Sequence, residues 1–347
     1  MGGNALKNPS VRLQRDEFLS VTHLIVNNLR NFYNTKVRPT LSYKSKKSFG
    51  DLDILIEKPD EPYRSDLEEH VKRYFQTTEI VKNKNVWSIG VPLDLDLDRS
   101  RVFQVDLIHM KPKHYETSYF YYSYNDLNNL VGKMIHKFGM KFGHKGLIVP
   151  LRTDNGGVKR EITISKDPQK IYEFIDLDYK KWEEGFEDLE DIFEFVVSSK
   201  YFSADMFDDS NLNHRSRVRD KKRKVYQSFR EWLKESKHFD RHYNFNLKKE
   251  EYIEFIDECF PGVHLRIQKD AFDREMEEKR QIAEKFNGNI IMDLTNLKGK
   301  ALGKFIGNFK NSVEDFNLWV KHSSKSEIKE RILDFYKSQV EFKDTPV

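Results

Sequence analysis

The chain has 347 residues, 33% charged and 38% hydrophobic, with 60 Lys and Arg against 56 Asp and Glu for a formal net charge of +4. That length predicts two or three domains or subdomains with a real core, and the balance is that of a soluble globular protein, since no run nears the roughly eighteen apolar residues of a membrane span. A single cysteine, Cys259, excludes an internal disulfide and a multi-cysteine zinc site, and an N-terminus without an apolar signal core makes the cytoplasm the expected location. The net charge is too small to diagnose a nucleic-acid partner, so the local distribution of charge has to carry that argument.

In chain order, Asp16 to Asn34 is predicted helical, because Phe18, Val21, Ile25, Leu29 and Phe32 recur every three or four residues behind an acidic cap. Val37 to Tyr43 reads as a strand. The stretch from Ser42 to Glu57, SYKSKKSFGDLDILIE, is the one the rest is organised around. Its second half has a period of two, so Asp51 and Asp53 leave one face of a strand while Leu52 and Ile54 enter the other. Two neighbouring carboxylates resist joint ionisation unless a cation stands between them, and a divalent metal is the usual one. Aspartate is also a poor strand former. A polar strand entrance facing water explains the same pattern. The first half weighs against that: Ser42, Ser45 and Ser48 are separated by Lys44, Lys46 and Lys47 and lead to Gly50. Hydroxyls, open backbone amides and lysines in a short loop suit a triphosphate; an ordinary basic surface turn is the competing reading.

SYKSKKSFGDLDILIEKP resembles the catalytic signature of the DNA polymerase beta superfamily, closest to the family X polymerases, in which Gly-Ser, a short basic loop and Ser-Gly-Asp-x-Asp lead into an apolar strand. Leu41 stands where the family has its first glycine, and the loop from Ser42 to Asp51 is one residue shorter. The overall look is similar to phage-encoded members. The resemblance implies an α+β chain, a palm-like nucleotidyltransferase domain with a mixed sheet followed by a mostly helical C-terminal region.

Glu61 to Thr77 is predicted helical, with Leu67, Val71, Tyr74 and Phe75 on one stripe, and Val86 to Val91 and Arg101 to Met110 are predicted strands. In RVFQVDLIHM, Phe103, Val105 and Leu107 share one face and Gln104, Asp106 and Ile108 the other, so Asp106 is an acid embedded in an apolar strand and needs a partner. Asp94, Asp96 and Asp98 compete with it, although their position beside Pro92 and ahead of Arg99 and Arg101 suits a solvated hairpin. A third aspartate in a strand such as QVDLI completes the metal site of the family, which implies Asp106. Tyr119 to Leu147 reads as an aromatic strand or turn and then a helix, Asn125 to Phe138, ending at Gly139. Its order is similar to the thumb segment of family X polymerases. That implies Tyr121 or Tyr122 against the sugar and Asn128 near the base, with Ser123 alone in place of Gly-Ser and Gly132 where many members carry a template-touching arginine. Ile162 to Tyr179 is similar to the end of that fold, so the resemblance spans Val37 to Tyr179.

Past Trp182 the pattern is helical. Phe186 to Val197 has a stripe suited to a core. His214 to Lys224, HRSRVRDKKRK, is a solvated face or a phosphate-backbone contact through Arg217, Arg219, Lys221, Lys222 and Arg223. His238 and His242 are spaced for a metal pair, but surface histidines are the better reading. From Glu250 to Tyr336, helical patches are broken at Pro261-Gly262 and Asn287-Gly288-Asn289, and Gly299, Gly303 and Gly307 recur every four residues.

The expected domains are 1–115, catalytic; 116–182, thumb-like; and 183–347, helical and nucleic-acid-binding. The expected function is a two-metal nucleotidyltransferase that moves a nucleoside monophosphate from an NTP or dNTP to an acceptor hydroxyl, a nucleic-acid 3′ end of RNA (such as tRNA) or DNA. Asp51, Asp53 and Asp106 would hold two Mg2+ (or Mn2+) ions, and Ser42, Lys44, Lys47, Ser48 and Gly50 would hold the triphosphate. A family X-like DNA polymerase, transfer to a protein or small molecule, and a non-catalytic nucleic-acid-binding protein with the same fold are the alternatives.

Overall fold

A computed structural model describes residues 3–58, 67–77, 79–93, 101–152, 158–211 and 214–341. The chain is α+β and divides into two compact units, Met1–Val263 and His264–Val347. Residues 183–263, expected to open a separate helical region, therefore belong to the first unit.

The first unit begins with β1 (Leu13–Gln14) and α1 (Arg15–Tyr33), then β2 (Val37–Pro39), β3 (Ser48–Phe49), β4 (Asp51–Glu57), α2 (Leu67–Tyr74), β5 (Ile80–Asn83), β6 (Val86–Pro92) and β7 (Val102–Met110). The strand expected over Val37 to Tyr43 is confined to three residues, and the predicted helix from Glu61 is described only from Leu67. Five strands form one mixed sheet in the order β2-β4-β7-β6-β5, with β4 and β7 parallel and the other neighbours antiparallel. The parallel pair requires a long crossover, which α2, β5 and β6 supply.

The period of two in β4 and β7 sorts their side chains. Leu52, Ile54 and Ile56 with Phe103, Val105 and Leu107 face a buried cluster that takes Ile25, Val26 and Leu29 from α1 and Val71 from α2. On the other face Leu55, Ile108 and Met110 pack against Tyr115. Tyr115 belongs to α3 (Pro112–Tyr122), which starts two residues after β7 with proline at its first turn. The aromatic stretch ending at Tyr122 is thus a helix end, not a strand: Tyr115, Thr117, Ser118 and Phe120 are buried, and these contacts outweigh the weak helix propensity of tyrosine and threonine.

Next come α4 (Leu127–Lys137), which ends at Gly139 in the left-handed region (φ 78°) as expected, and an antiparallel sheet of β8 (Lys141–Gly143), β9 (Gly146–Arg152) and β10 (Val158–Ser165). Then follow α5 (Pro168–Phe174), α6 (Tyr179–Glu184), α7 (Leu189–Ser198), α8 (His214–Lys221), α9 (Lys224–Glu235) and α10 (Ile253–Cys259). The stripe of α7 is core, as expected: Ile192, Phe193, Phe195, Val196 and Val197 are buried. His238 turns to Glu194 (3.2 Å) and His242 to Asp205 (4.0 Å), so they do not form a metal pair.

The second unit is helical, with α11 (Val263–Lys285, its first residue closing the first unit), α12 (Gly288–Thr295), α13 (Gly299–Asn311), α14 (Phe316–His322) and α15 (Lys325–Glu341). Phe286, Ile291, Phe305, Phe309, Val320, Ile328 and Ile332 make its core. Gly303 and Gly307 lie on α13 with open space where a Cβ would be, so they serve no close helix contact within this unit.

Candidate active site

Parallel pairing sets Asp51 opposite Gln104 and Asp53 opposite Asp106. Residues opposed in register project to the same face, so Asp53 and Asp106 stand side by side, and Asp51, two residues earlier, shares that face. Asp106 has the polar partners its position called for: Gln104 Nε2 donates to Oδ1 at 3.0 Å, and Ser88, its cross-strand neighbour on β6, also donates to it. Asp94, Asp96 and Asp98 lie outside the described residues.

The three carboxylates act on one another. Burial, then the charges of Asp51 and Asp106, push the Asp53 carboxyl up to about 8, against the pull of Lys46. Burial also raises Asp106, with Asp51 adding to the rise and the hydrogen bonds from Ser88 and Gln104 opposing it. Lys46 is lowered by burial, while Asp51 and Asp53 favour its charged form. One ammonium among three carboxylates leaves a local excess of negative charge, and hard oxygen donors of this kind suit Mg2+ or Mn2+. Among the described residues no three His, Cys, Asp or Glu side chains already stand as a closed ligand set. Asp51 Oδ2 accepts the Gly3 amide (3.2 Å), and Asp106 is held by Gln104, whose Oε1 accepts the Ala5 amide (2.8 Å).

Asp51 and Asp53 open onto a cleft of about 480 Å³ that Asp106 does not itself line. Of the residues expected there, Ser42, Ser48, Gly50, Tyr121 and Tyr122 line it; Arg12, Lys46, Asn125, Asp126, Asn129 and Arg223 are among the other lining residues. The lysine that enters is Lys46, its ammonium 3.3 Å from Asn125 Oδ1 and 4.7 Å from the Phe49 ring. Lys44 and Lys47 are exposed and do not line the cleft, and Lys44 pairs with Glu187 at 2.5 Å. The cause is the loop's anchoring: the amides of Lys44 and Ser45 donate to the carbonyls of Phe186 and Glu187, and a turn from Tyr43 to Lys46 swings the next lysine inward.

Asn128 is the main correction to the expected nucleotide contacts. Its side chain donates to the carbonyls of Phe120 (2.8 Å) and Tyr121 (3.2 Å) and accepts from the Tyr172 hydroxyl (2.9 Å), all with the residue buried. It is a fully engaged strut between α3, α4 and α5. Asn129 faces the cleft instead, 3.4 Å from the Tyr121 hydroxyl and donating to Asp126 at 2.8 Å. No protein-family model matches the chain, and no curated protein matches it.

The turn between α3 and α4 is built for position. Tyr124 and Asn125 both adopt left-handed backbone (φ 59° and 58°), the Tyr124 amide donates to the Leu41 carbonyl, and the Leu41 amide donates to Ser123 Oγ. A tyrosine in that region costs roughly 1 kcal/mol or more, so the surroundings must hold it there.

The basic run divides. Arg217, Lys221 and Lys222 are exposed, as a solvated face requires. Arg223 turns into the acid-bearing cleft and pairs with Asp126, whereas Arg219 lines a neighbouring cleft and pairs at 2.8 Å with the buried Asp220. Sequence distance from Asp51 hid Arg223, and only a shared cleft reveals it.

Proposed function

We propose that the chain is a metal-dependent nucleotidyltransferase with a polymerase-beta-like palm, moving a nucleoside monophosphate from an NTP or dNTP to an acceptor hydroxyl. The observation that carries this reading is the register of β4 and β7, which pairs Asp53 with Asp106 and puts Asp51 beside them, with Asp51 and Asp53 lining a cleft that also bears Ser42, Ser48, Lys46 and Arg223. Asp51, Asp53 and Asp106 would hold Mg2+ or Mn2+, which when bound lowers the pKa of the attacking hydroxyl and neutralises charge on the departing pyrophosphate. Lys46 and Arg223 supply positive charge for the triphosphate, and the Ser42 hydroxyl and the amides of the loop supply donors. Ser48 is itself held by Arg12, which donates to its Oγ at 2.9 Å, so Arg12 sets the loop's geometry. Tyr121, Tyr122 and Asn129 line the same cleft, where sugar and base would lie.

Incubation of the protein with labelled NTPs and dNTPs, Mg2+ or Mn2+, and a mixed pool of RNA and DNA tests the reading. Label is expected in nucleic acid, and its incorporation is expected to be lost in Asp53→Asn. Incorporation that persists in the variant would remove the carboxylates from the chemistry.

A further inference from the structure

A second cleft, of about 550 Å³, adjoins the first and shares Tyr121 and Asn129 with it. The two differ in charge. The first has the carboxylates; the second is lined by Lys133 and Lys137 of α4, Lys141 of β8, Arg219 of α8 and Lys249, with Asp205 the one carboxylate that lines it among the described residues. On α4, Asn128 also lines it, and the lining positions Asn129, Gly132, Lys133, His136 and Lys137 fall at three-to-four spacing, so a single helix stripe runs from one cleft into the other. Most of the cations have carboxylate partners: Lys133 and Arg219 share the buried Asp220 at 2.5 and 2.8 Å, Lys141 meets Glu161 at 2.8 Å, and Lys137 meets Asp205 of the lining at 3.4 Å. Phe142 and Tyr121 meet edge to face at 5.2 Å in the same lining. Cations for phosphates interleaved with aromatic faces for bases are the elements of a single-strand site.

We propose that this second cleft binds a single-stranded nucleic acid, whose terminal hydroxyl then reaches Asp51 and Asp53 past Tyr121 and Asn129. Naming the strand an acceptor rests on the nucleotidyltransferase reading; the binding does not. Gly132 is the key to the site, because a Cβ there would meet nothing within 4 Å. The glycine leaves the middle of the stripe open for a strand, at the cost of the lower helix propensity of glycine.

The test uses the full chain and fluorescent single strands of roughly 10 nucleotides, one RNA and one DNA, followed by anisotropy without metal over a range of salt. Gly132→Glu fills open space on a helix, so the fold should persist, and its carboxylate is expected to weaken strand binding about tenfold or more, whereas Gly132→Arg strengthens it. Combined Lys137→Ala, Lys141→Ala and Lys249→Ala is expected to lower the log–log salt slope by about two, at ~0.7 per contact on single strands. Binding of NTP with Mg2+ stays unchanged in all of them. The proposal is overturned if the wild-type protein binds neither strand, if Gly132→Glu and the triple variant bind as the wild type does, or if NTP binding falls in parallel. It is also overturned if NTP titrates two sites and Gly132→Glu removes one, since the cleft would then hold a mononucleotide. Strand binding that follows the variants in a protein that transfers no nucleotide supports the cleft and sinks the enzymatic reading alone.

Discussion

One face of the β4–β7 pair carries two different surfaces within a few residues. The rows Asp51/Gln104 and Asp53/Asp106 are polar, whereas Leu55 and Ile108 are paired two residues further on and lie, with Met110 and Tyr115, in a buried apolar cluster. The backbone is the same, and so are the strand direction and the register. What differs is the cover. Helix α3 lays Tyr115 over the second half, while at the first half Lys46 eases the Asp53 charge. Burial that stabilises the fold and burial that raises a carboxyl pKa are thus adjacent, which lets the second half hold the first in place while the first keeps its crowded carboxyls.

The largest expected effect is on the polar half. Asp53→Asn should cut nucleotide transfer roughly a thousandfold or more, because it removes an anionic metal ligand without changing size. It should also raise the melting temperature in metal-free buffer at neutral pH. The sign follows from the raised pKa: a carboxyl pushed up to about 8 loses nothing on folding below its unfolded value near 4, and destabilises the fold increasingly as pH climbs between the two. The gain in the variant should therefore close near pH 4, and equal melting of both proteins at pH 4 and pH 8 would contradict the electrostatic account.

The apolar half should fail in the opposite manner. Leu55→Ala, at a fully buried position, should cost ~2–5 kcal/mol in urea unfolding and leave transfer per folded molecule intact. Lost activity at unchanged stability would mean that the two halves are not separable.

The wall of the cleft can be divided next. Asn128→Ala should cost ~1–3 kcal/mol of stability, since it strands two carbonyls and a buried hydroxyl, while nucleotide affinity is kept. Asn129→Ala should weaken the nucleotide with little change in unfolding. If the effects are exchanged, the base contact belongs to Asn128 after all.

The smallest contrast lies in the loop. Lys46→Ala should weaken triphosphate binding about tenfold, as expected for one charged contact to phosphate, and Lys44→Ala should leave affinity and melting where they were. Equal losses in a calorimetric titration would show that both lysines reach the phosphates.

Much of this was legible in the chain itself. The alternation of Asp51, Leu52, Asp53 and Ile54, and of Gln104, Val105, Asp106 and Leu107, determined which residues share a face, since side chains on a strand alternate whatever lies around them. The helix stop at Gly139 and the apolar stripe of α7 were equally local. Three lysines in one loop, two adjacent asparagines and seven arginines and lysines in one run are chemically interchangeable as text, and no period separates them. The tertiary structure chose Lys46 through hydrogen bonds from the loop to Phe186 and Glu187, Asn129 by spending Asn128 on Phe120, Tyr121 and Tyr172, and Arg223 by bringing it to Asp126. Each choice depends on partners from tens of residues away or on which side of a helix meets a neighbour, and that is information a local pattern does not contain.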